Sequence, residues 1–446
     1  MREKCGEAAS SRFGSVPCTW HKAMINEICR MSSGSTPRRD NANNFNGAIL
    51  WVSSGELKKK FVLDTNEKIS QEAARASHLK MYKPGAVVAA IYGLEAAGIR
   101  GTASIIKKQC TISQACMAFT DFKGIDNEFF YYWYILNGPR IGHRYAQGTK
   151  QQNLSTEIVG TLQICYPPLP EQRKIAAILA TQDKVIELYE RKIEQLQLLK
   201  KNCLRKMFPR HGSDTPEVRF RGFTGTWERK RLGDLCHFSK GYGYSKSDLK
   251  PSGKPIILYG RLYTRHETEI VEVDTFAEAN NESVYSRGGD VIVPASGETA
   301  EDISIASVVK QTGVIIGGDI NIIEPESTLD STFLAISISN AQPHADIARL
   351  AQGKSVVHLH CGDLAKVVLS YPCHSEQMKI STFFRHIDNI ITLNQRKRDE
   401  EKQKKKALMQ LLLTGIVRVG EAASCRLERA GNEAAGSRFS TRIAKV

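Results

Sequence analysis

The sequence predicts an α+β fold in which two similar domains stand in tandem and are separated by two long helices. The first supporting observation is residues 166–208, which open with a proline-rich turn and continue as one amphipathic pattern. Apolar residues recur there at steps of three, four or seven, as they do along one face of a helix. Residues 171–208 would span about 57 Å as a helix, a length suited to a spacer or to a rail on which another protein docks.

The second observation is that this stretch returns 205 residues later. Residues 371–380 align with residues 166–175, and the same offset then holds without a gap along the helix. The third observation is a framework shared outside the helices, since Trp227 repeats Trp20 at an offset of 207 residues. The chain is therefore a tandem duplication.

Each domain copy mixes short strands with helices. In the first copy, short apolar or alternating segments bounded by glycine predict strands, and longer periodic segments predict helices. The predicted strands are 49–52, 86–92 and 103–106, and the predicted helices are 67–79 and 127–136. The second copy repeats this plan, yet its segments between the framework residues differ almost completely from those of the first. Two copies of one scaffold with different surface loops indicate two related readers of different targets.

These patterns divide the chain into six parts. They are a loose leader 1–19, a first domain 20–165, a first spacer helix 166–212, a second domain 213–370, a second spacer helix 371–415 and a disordered tail 416–446. The second helix is the less regular, because residues 394–406 contain no apolar side chain. At the repeat positions of Ile193 and Leu196 it has Arg398 and Glu401. The middle of a helix pair is therefore expected to be held by charge, covered by a partner or left exposed.

The chain is strongly basic, with 62 lysines and arginines against 47 aspartates and glutamates and a net charge of +15. Such a charge favours a polyanionic partner, most simply nucleic acid, although an ordinary basic protein is the alternative. No apolar run approaches the roughly 18 residues of a membrane span, and no secretion signal is expected. The 11 scattered cysteines contain no CxxC pair, which is typical of reduced thiols in the cytoplasm.

Apparent catalytic and metal motifs are weak in this sequence. Cys373, which follows a proline, could be the nucleophile of a cytosine methyltransferase, but the first copy has Pro168 at that position and no glycine-rich cofactor loop occurs. His358, His360 and Cys361 could bind zinc, but no second pair of ligands lies nearby. The adenine-methylation motif of Asn or Asp, Pro, Pro and an aromatic residue does not occur. The sequence therefore predicts neither a catalytic nor a metal site.

Two variable α+β domains that alternate with two long helices, each helix opened by Glu-Gln-x-Lys-Ile after a proline turn, resemble the specificity subunit of type I restriction-modification systems. The resemblance covers about residues 20–415. Its most specific parts are residues 167–176 (PPLPEQRKIA), the lysine-rich helix after them, and the segments that begin at Trp20 and Trp227 and continue to Gly34 and Gly241. The resemblance implies that each variable domain is a target-recognition domain for one half of a bipartite DNA site. It also implies that the helices pair antiparallel and fix the separation of the domains.

The resemblance also implies the partners of the chain, in a bacterial or archaeal cytoplasm. They are double-stranded DNA, two methyltransferase subunits docked on the helices and, through the complex, restriction subunits. S-adenosylmethionine, ATP and Mg²⁺ are expected on those partner subunits, with no cofactor on this chain. The apolar stripe of the helices is the expected docking surface: Ile175, Leu179, Ile186, Ile193, Leu196, Ile380, Ile387 and Ile391.

DNA contacts are expected on loops that are basic or amide-rich and that differ between the copies. Lysine and arginine neutralise phosphates, and arginine, glutamine and asparagine can bind base edges. The candidates in the first domain are Lys58, Lys59, Lys60, Arg100, Arg140, Arg144, Lys150, Gln151, Gln152 and Asn153. Those in the second domain are Tyr242, Tyr244, Lys246, Arg261, Tyr263, Arg265, Arg349, Gln352 and Lys354. The aromatic residues 129–134 could stack on bases, but their helical spacing predicts a place in the core.

Two other classes of protein stay open from the sequence. A self-contained DNA methyltransferase or nuclease would need a cofactor loop and a catalytic pair. A helical scaffold that binds no DNA would have no use for basic loops that vary between the copies.

Overall fold

The computed structural model of the chain describes residues 10–11, 14–15, 17, 19–148, 152–210, 212–300, 302–350 and 357–419. Most of the predicted leader, and residues 420–446 of the predicted tail, lie outside the described residues. The chain divides into two compact units. The first takes in the residues up to 188 and those from 398 onward, and the second takes in residues 189–397.

The first unit is an α+β structure built on a five-stranded sheet. Its strands are β1 Ser10–Ser11, β2 Gly14–Ser15, β3 His21–Met24, β4 Arg30–Ser33, β5 Ile49–Val52, β6 Phe61–Val62, β7 Lys68–Ile69, β8 Val87–Ala90, β9 Ala103–Ile106, β10 Cys110–Ile112, β11 Cys116–Thr120 and β12 Gln163–Tyr166. Its helices are α1 Ile25–Ile28, α2 Gln71–Ala76, α3 Asn127–Tyr145, α4 Thr156–Gly160 and the start of α5 Leu169–Met207. The main sheet has the order β4-β11-β8-β9-β6, and a smaller one has the order β10-β5-β7. Every residue of β8 and β9 is buried, so the core lies on this sheet.

The second unit contains two five-stranded sheets. Its strands are β13 Glu228–Arg231, β14 Cys236–Lys240, β15 Leu249–Lys250, β16 Lys254–Ile257, β17 Glu269–Ile270, β18 Phe276–Ala277, β19 Tyr285–Arg287, β20 Asp290–Pro294, β21 Ser296–Gly297, β22 Ser307–Val309, β23 Thr312–Ile316, β24 Ile320–Pro325, β25 Val357–His358 and β26 Val368–Tyr371. Its helices are α6 Tyr259–Thr264, α7 Ser331–Asn340, α8 Gln342–Leu350, α9 Cys361–Leu364 and most of α10 His374–Leu413. The sheet orders are β14-β24-β20-β22-β17 and β15-β18-β16-β23-β19.

The two units repeat one strand plan. The order β4-β11-β8-β9-β6 corresponds strand for strand to β14-β24-β20-β22-β17. In both sheets the last pair is parallel and the other pairs are antiparallel. A helix follows each sheet, and an aspartate caps it: the carboxylates of Asp126 and Asp330 accept the backbone N–H groups of Phe129 and Phe333. The predicted tandem α+β architecture is confirmed.

Both long helices form close to their predicted bounds. Helix α5 runs from Leu169 to Met207, and α10 continues without a break through residues 394–406, which lack apolar side chains. Each helix has one part in each unit, because the units divide α5 after Leu188 and α10 before Arg398. Within the first unit Asp183 pairs with Lys405 while Glu171, earlier on α5, pairs with Arg418 after α10. The two helical segments of this unit therefore run antiparallel.

The shorter predicted elements have mixed outcomes. The strands 49–52 and 103–106 are confirmed as β5 and β9, and 86–92 contains β8. The predicted helix 67–79 is wrong at its start, because Lys68–Ile69 pairs with β5 and only Gln71–Ala76 is helical. The aromatic residues 129–134 are all buried in α3, which confirms the predicted place in the core. In the described ranges no helix is both long enough and apolar enough to cross a membrane.

Candidate nucleic-acid interface

The glutamine of each Glu-Gln-x-Lys-Ile motif anchors its long helix to the recognition domain beside it. Gln172 is fully buried, accepts the backbone N–H of Asp126 at 2.7 Å and donates to the carbonyl groups of Gly124 and Pro167 at 3.0 and 2.7 Å. Its repeat partner Gln377 makes the same three kinds of bond, accepting from Asp330 and donating to Thr328 and Pro372. The motif therefore fixes the start of each helix against the capped helix of its own unit.

We expect the substitution Gln172→Ala to destabilise the first unit by about 1–3 kcal/mol, because it leaves the buried Pro167 carbonyl and the part-buried groups of Asp126 and Gly124 without these partners. Hydrogen exchange at the Asp126 amide should become faster, since that N–H loses its acceptor. Gln197, an exposed glutamine of α5, provides the control, and Gln197→Ala should change neither quantity. Unchanged protection of the Asp126 amide in Gln172→Ala would contradict the anchoring role.

The glutamate of the same motif binds an arginine that follows the other long helix within its unit. Glu171 receives two hydrogen bonds of 2.7 Å from Arg418 and one from the backbone of Val419. In the second unit, buried Glu376 receives two bonds of 2.7 Å from Arg219. Residues 416–419 therefore belong to the packed first unit and not to a disordered tail, which corrects the predicted boundary. The reason is that Arg418 completes a half-buried, bidentate ion pair with Glu171.

The Glu171 pair should make the stability of the first unit depend on pH. Hydrogen bonding from Arg418 lowers the pKa of the Glu171 carboxyl below its ordinary value. Its contribution is therefore present above the unfolded pKa, near 4.3, and is lost as the pH falls through the lowered folded value. Thermal unfolding of Glu171→Gln should differ from that of the wild type at pH 7, and the difference should shrink below about pH 4. Glu157→Gln, at an exposed site on α4, is the control.

A second pair of charges holds the two helices together in each unit. In the first unit Asp183 of α5 binds Lys405 of α10 at 2.5 Å and accepts the hydroxyl of Tyr132. In the second unit Asp388 of α10 binds Lys200 of α5 at 2.6 Å. Asp388 repeats Asp183, and Lys405 repeats Lys200, at the offset of 205 residues. Each unit therefore takes its aspartate from one repeat and its lysine from the other.

The apolar stripe predicted to dock partner subunits is covered by the chain itself, so that prediction is wrong. Ile175 and Leu179 lie in the core of the first unit with Leu412. Ile193, Ile380, Ile387 and Ile391 are buried together in the core of the second unit. The exposed fractions are 0% for Ile175 and Leu179, 2% for Ile380 and 5 to 8% for Ile186, Ile193, Ile387 and Ile391, with Leu196 packed at the edge. The apolar face of each helical segment packs against the other helix and against its own domain.

The middle of the helix pair is also better covered than predicted. Ile193 is only 5% exposed and packs with Ile391 in the core of the second unit. The prediction placed Arg398 and Glu401 opposite this region because they are the repeat equivalents of Ile193 and Leu196. Equivalent positions would face each other only if the helices were parallel. In the antiparallel arrangement these two residues belong to the first unit, where Glu401 accepts a hydrogen bond from Gln182.

Several predicted DNA-binding residues of the first domain meet at the C-terminal half of α3. The Arg100 guanidinium donates to the Gln152 side chain at 2.7 Å, and the Gln152 backbone donates to Glu95. Arg100 lies against Gly142, where a Cβ atom would come within 2.7 Å of its side chain. Exposed Arg144 lies over the ring of Tyr145. The other members of the set are exposed Arg140 and Asn153, whose backbone pairs with Gln147.

The lysine run of the first domain divides into two kinds of residue. Lys58 and Lys59 are exposed. Lys60 is not, since its side chain is 8% exposed and its ammonium group binds Glu128 at 2.8 Å and the Tyr132 hydroxyl at 2.9 Å. Lys60 therefore binds side chains of α3 and is not available for DNA as Lys58 and Lys59 are. Lys150 and Gln151 lie outside the described residues.

The structure adds a loop that the sequence analysis missed, residues 38–48. Most of it is exposed, and it contains Arg38, Asn41, Asn43 and Asn46 on or beside a short 3₁₀ helix, Ala42–Phe45. It follows Gly34, whose missing side chain allows contact with the Ile112 carbonyl. Two arginines followed by four asparagines within six residues were the available signal, because amides and guanidinium groups are the side chains that bind base edges.

The corresponding loop of the second domain begins after Gly241, which likewise packs against a backbone carbonyl, that of Gly317. Tyr242 is 49% exposed and Lys246 is exposed, so these two predicted residues lie at the surface. Tyr244 is half-buried, and its hydroxyl bonds Ser283 and the Glu278 carbonyl. Both domains therefore present a variable polar loop at the same place in the fold.

The remaining predicted residues of the second domain that the structure describes have partners inside it. Arg261 is 10% exposed and binds Glu267 and Asp274 at 2.9 and 2.7 Å. Arg265 pairs with the same two carboxylates, and Tyr263 donates to a main-chain carbonyl. Exposed Arg349 pairs with Asp346, and Gln352 and Lys354 lie outside the described residues. Intramolecular ion pairs thus occupy Arg261 and Arg265.

The two domains also differ in charge. Residues 20–165 contain eighteen lysines and arginines against eleven aspartates and glutamates, whereas residues 213–370 contain sixteen against twenty-one. The first domain is therefore a net cation and the second a net anion.

The three residues considered for zinc do not form a metal-binding cluster. Cys361 contacts Asn321 and Ser239, and no metal-binding group of three acidic, histidine or cysteine side chains occurs among the described residues.

Comparison with known proteins places this architecture in a family. Residues 17–198 and 224–403 each match the type I restriction modification DNA specificity domain. The chain belongs to this family and carries its domain twice. Among its relatives is the type I restriction enzyme MjaVIII specificity subunit of Methanocaldococcus jannaschii, which is 21% identical over 420 residues, covering 91% of this chain and 94% of the relative. The MjaIX specificity subunit of the same organism is 24% identical over 252 residues, or 53% of this chain and 56% of the relative.

Solved structures share the fold at low sequence identity. A chain from a study of complex assembly and conformational transition in the type I R-M system matches with a TM-score of 0.54 and 17% identity, over 90% of this chain and all of that one. The S subunit of a type I restriction-modification system from M. genitalium matches with a TM-score of 0.53 and 14% identity, over 89% of this chain and 95% of that one.

Proposed function

We propose that this chain is the DNA-recognition subunit of a type I restriction-modification complex, and that each domain binds one half of a bipartite site on double-stranded DNA. The observation that carries the proposal is the contrast between a constant frame and a variable surface. Both units share the strand order and the Gln172 and Gln377 anchors. The exposed loops that follow Gly34 and Gly241 share almost no sequence. Such a pattern suits two readers of different sequences on one scaffold.

The exposed side chains of these loops are of the kinds that bind DNA. The first domain offers Arg38, Asn41 and Asn43 near Lys58 and Lys59 in sequence, which combines cations for phosphates with amides for base edges. The second domain offers Tyr242 and Lys246 but has a net negative charge. We infer that the first domain supplies most of the phosphate contacts and therefore most of the salt dependence of binding.

The long helices act in this proposal as a spacer and as a platform for methyltransferase subunits. Since the predicted stripe is buried, the docking surface must use other side chains. The second unit exposes four apolar residues of its helical segments, by 43 to 60%: Leu198, Leu199, Ile390 and Leu393. Covering them would remove a large apolar area from water. Restriction subunits join through the complex, and S-adenosylmethionine, ATP and Mg²⁺ act on the partner subunits.

Single-molecule sequencing of methylated adenines in cells with and without this gene tests the proposal. We expect one bipartite methylated sequence to disappear with the gene and to return on complementation. The purified chain alone should neither methylate nor cut DNA when supplied with S-adenosylmethionine, ATP and Mg²⁺. Turnover by a preparation free of other subunits would support a self-contained enzyme instead, and a chain that binds no DNA in the assembled complex would support a scaffold.

A further inference from the structure

A cleft of about 660 Å³ lies in the first unit, outside the loops assigned to DNA. Its walls come from residues 80–86, from residues 120–127 and from the first turn of α5. Four cations line it: Arg30, Lys80, Lys83 and Arg173. The cleft therefore lies where the first recognition domain meets its own long helix.

The acidic residues of this cleft already have partners within the chain. Asp121 lies 3.8 Å from Arg30, and the Asp126 carboxylate accepts backbone N–H groups at the start of α3. Lys80, Lys83 and Arg173 form no ion pair with any described residue. Three exposed cations without an ion-pair partner around one cleft make it a favourable place for an anion.

The cleft also has an exposed apolar side. Met81 and Leu169 are each 38% exposed, and Phe122 is half-buried beside them. A DNA phosphate would satisfy the cations but would leave these side chains in water. An acidic polypeptide that carries an apolar side chain would cover both, so the chemistry favours a protein segment over a nucleic acid.

The second repeat does not carry the same charges. At the repeat positions of Arg173 and Leu169 it has Met378 and His374. At the position of Lys83, which is offset by 204 residues in this part of the domains, it has Arg287, which pairs with Glu324. A ligand that needs three uncompensated cations can therefore bind the first repeat and not the second.

We propose that this basic cleft binds one acidic segment of a partner subunit, with an apolar side chain of that segment against Met81 and Leu169. The site occurs once per chain and so distinguishes the two repeats, unlike docking on surfaces that the repeats share. The identity of the partner as a subunit of the complex rests on the proposed function, whereas the preference for an acidic, partly apolar peptide does not.

The test places the photo-crosslinking residue p-benzoylphenylalanine at position 81 in the complex reconstituted with its methyltransferase and restriction subunits and DNA. We expect one crosslink per chain to an acidic segment of a protein subunit. The double variant Lys83→Glu with Arg173→Glu should reduce its yield at least tenfold. Arg75→Glu with Lys108→Glu, at exposed sites of the same unit, makes the same charge change and should leave the yield unaltered. A crosslink to DNA, or an equal yield in both double variants, would overturn the proposal.

A second measurement on the purified chain does not depend on assembly. It uses the fluorescein-labelled peptide Glu-Asp-Leu-Phe-Asp-Glu and a neutral analogue with Gln and Asn. Fluorescence anisotropy should show binding of the acidic peptide alone, weakened at least tenfold by the double variant in the cleft and not by the control variant. No binding, or no effect of the cleft variant, would overturn the proposal even if the complex methylates a bipartite site. Specific peptide binding in the absence of any methylated site would contradict the proposed function and would still support the proposed peptide-binding cleft.

Discussion

Replacement of residues 20–165 with the first domain of another family member should change one half of the methylated DNA sequence and leave the other half intact. The physical reason is that each unit has its own core and its own exposed loops. The anchor to α5 should accept a foreign domain, because Gln172 bonds only main-chain atoms of the domain, at Asp126 and Gly124. Sequencing of methylated adenines in cells that carry the hybrid gene measures both halves at once.

The reciprocal replacement of residues 213–370 is the matched control and should change only the other half. Hybrids in which both halves change would show that the domains do not recognise DNA independently. Side chains of the first domain also contact the helices: Ile175 and Leu179 share its apolar core, and the Tyr132 hydroxyl donates to Asp183. A donor domain with a tyrosine at that position should therefore give the more stable hybrid.

Lengthening both helices together should widen the unread gap between the two half-sites. We expect insertion of seven helix-forming residues after Leu188 and seven after Lys397 to add about 10 Å to each helix and about three base pairs to the gap. Seven residues are close to two turns, so the apolar faces keep their directions. The ion pairs Asp183–Lys405 and Lys200–Asp388 should survive, since the insertions fall between them. The methylated motif should keep the same bases at both ends.

Insertion into only one of the two helices is the control. The two helices would then differ by about 10 Å in length, and either the added turns must bulge or one unit must lose its antiparallel pairs. We expect a lower unfolding temperature and a large loss of methylation. Persistence of the original gap in the paired insertion, with methylation retained, would show that the helices do not set the spacing.

The elements predicted well from the sequence are those with a long or repeated signal. Helix α5 has a period sustained over 39 residues, and the framework pair of Trp20 and Trp227 aligns two whole domains. The helix predicted at 67–79 failed because β7 finds a partner strand 19 residues earlier, at Ile49 and Leu50. Pairing of this kind depends on the fold and has no mark in the local pattern.

The site was less accessible to sequence analysis, because charged residues reveal their type but not their partners. Lys60 and Arg261 are of the residue types that bind DNA, yet both form ion pairs with nearby carboxylates. The buried helix stripe was misassigned for a related reason. A repeat offset relates equivalent positions, whereas antiparallel packing decides which positions face each other. The loop after Gly34 is amide-rich, but its exposure depends on the packing of Gly34 against the Ile112 carbonyl, which no local pattern in the sequence reveals.

The ion pairs Asp183–Lys405 and Lys200–Asp388 have a consequence for how this gene can vary. Both pairs join the two repeats, so a repeat inherited whole from a relative replaces one partner of each pair, and a recombination break inside a helix, between the acid and the base, replaces one partner of one pair. Exchange of a domain alone, with breaks at the ends of the helices, leaves all four charges in place. We therefore expect gene exchange to have its tolerated break points at the ends of the helices, and drift at one of these four positions to be followed by change in the opposite repeat.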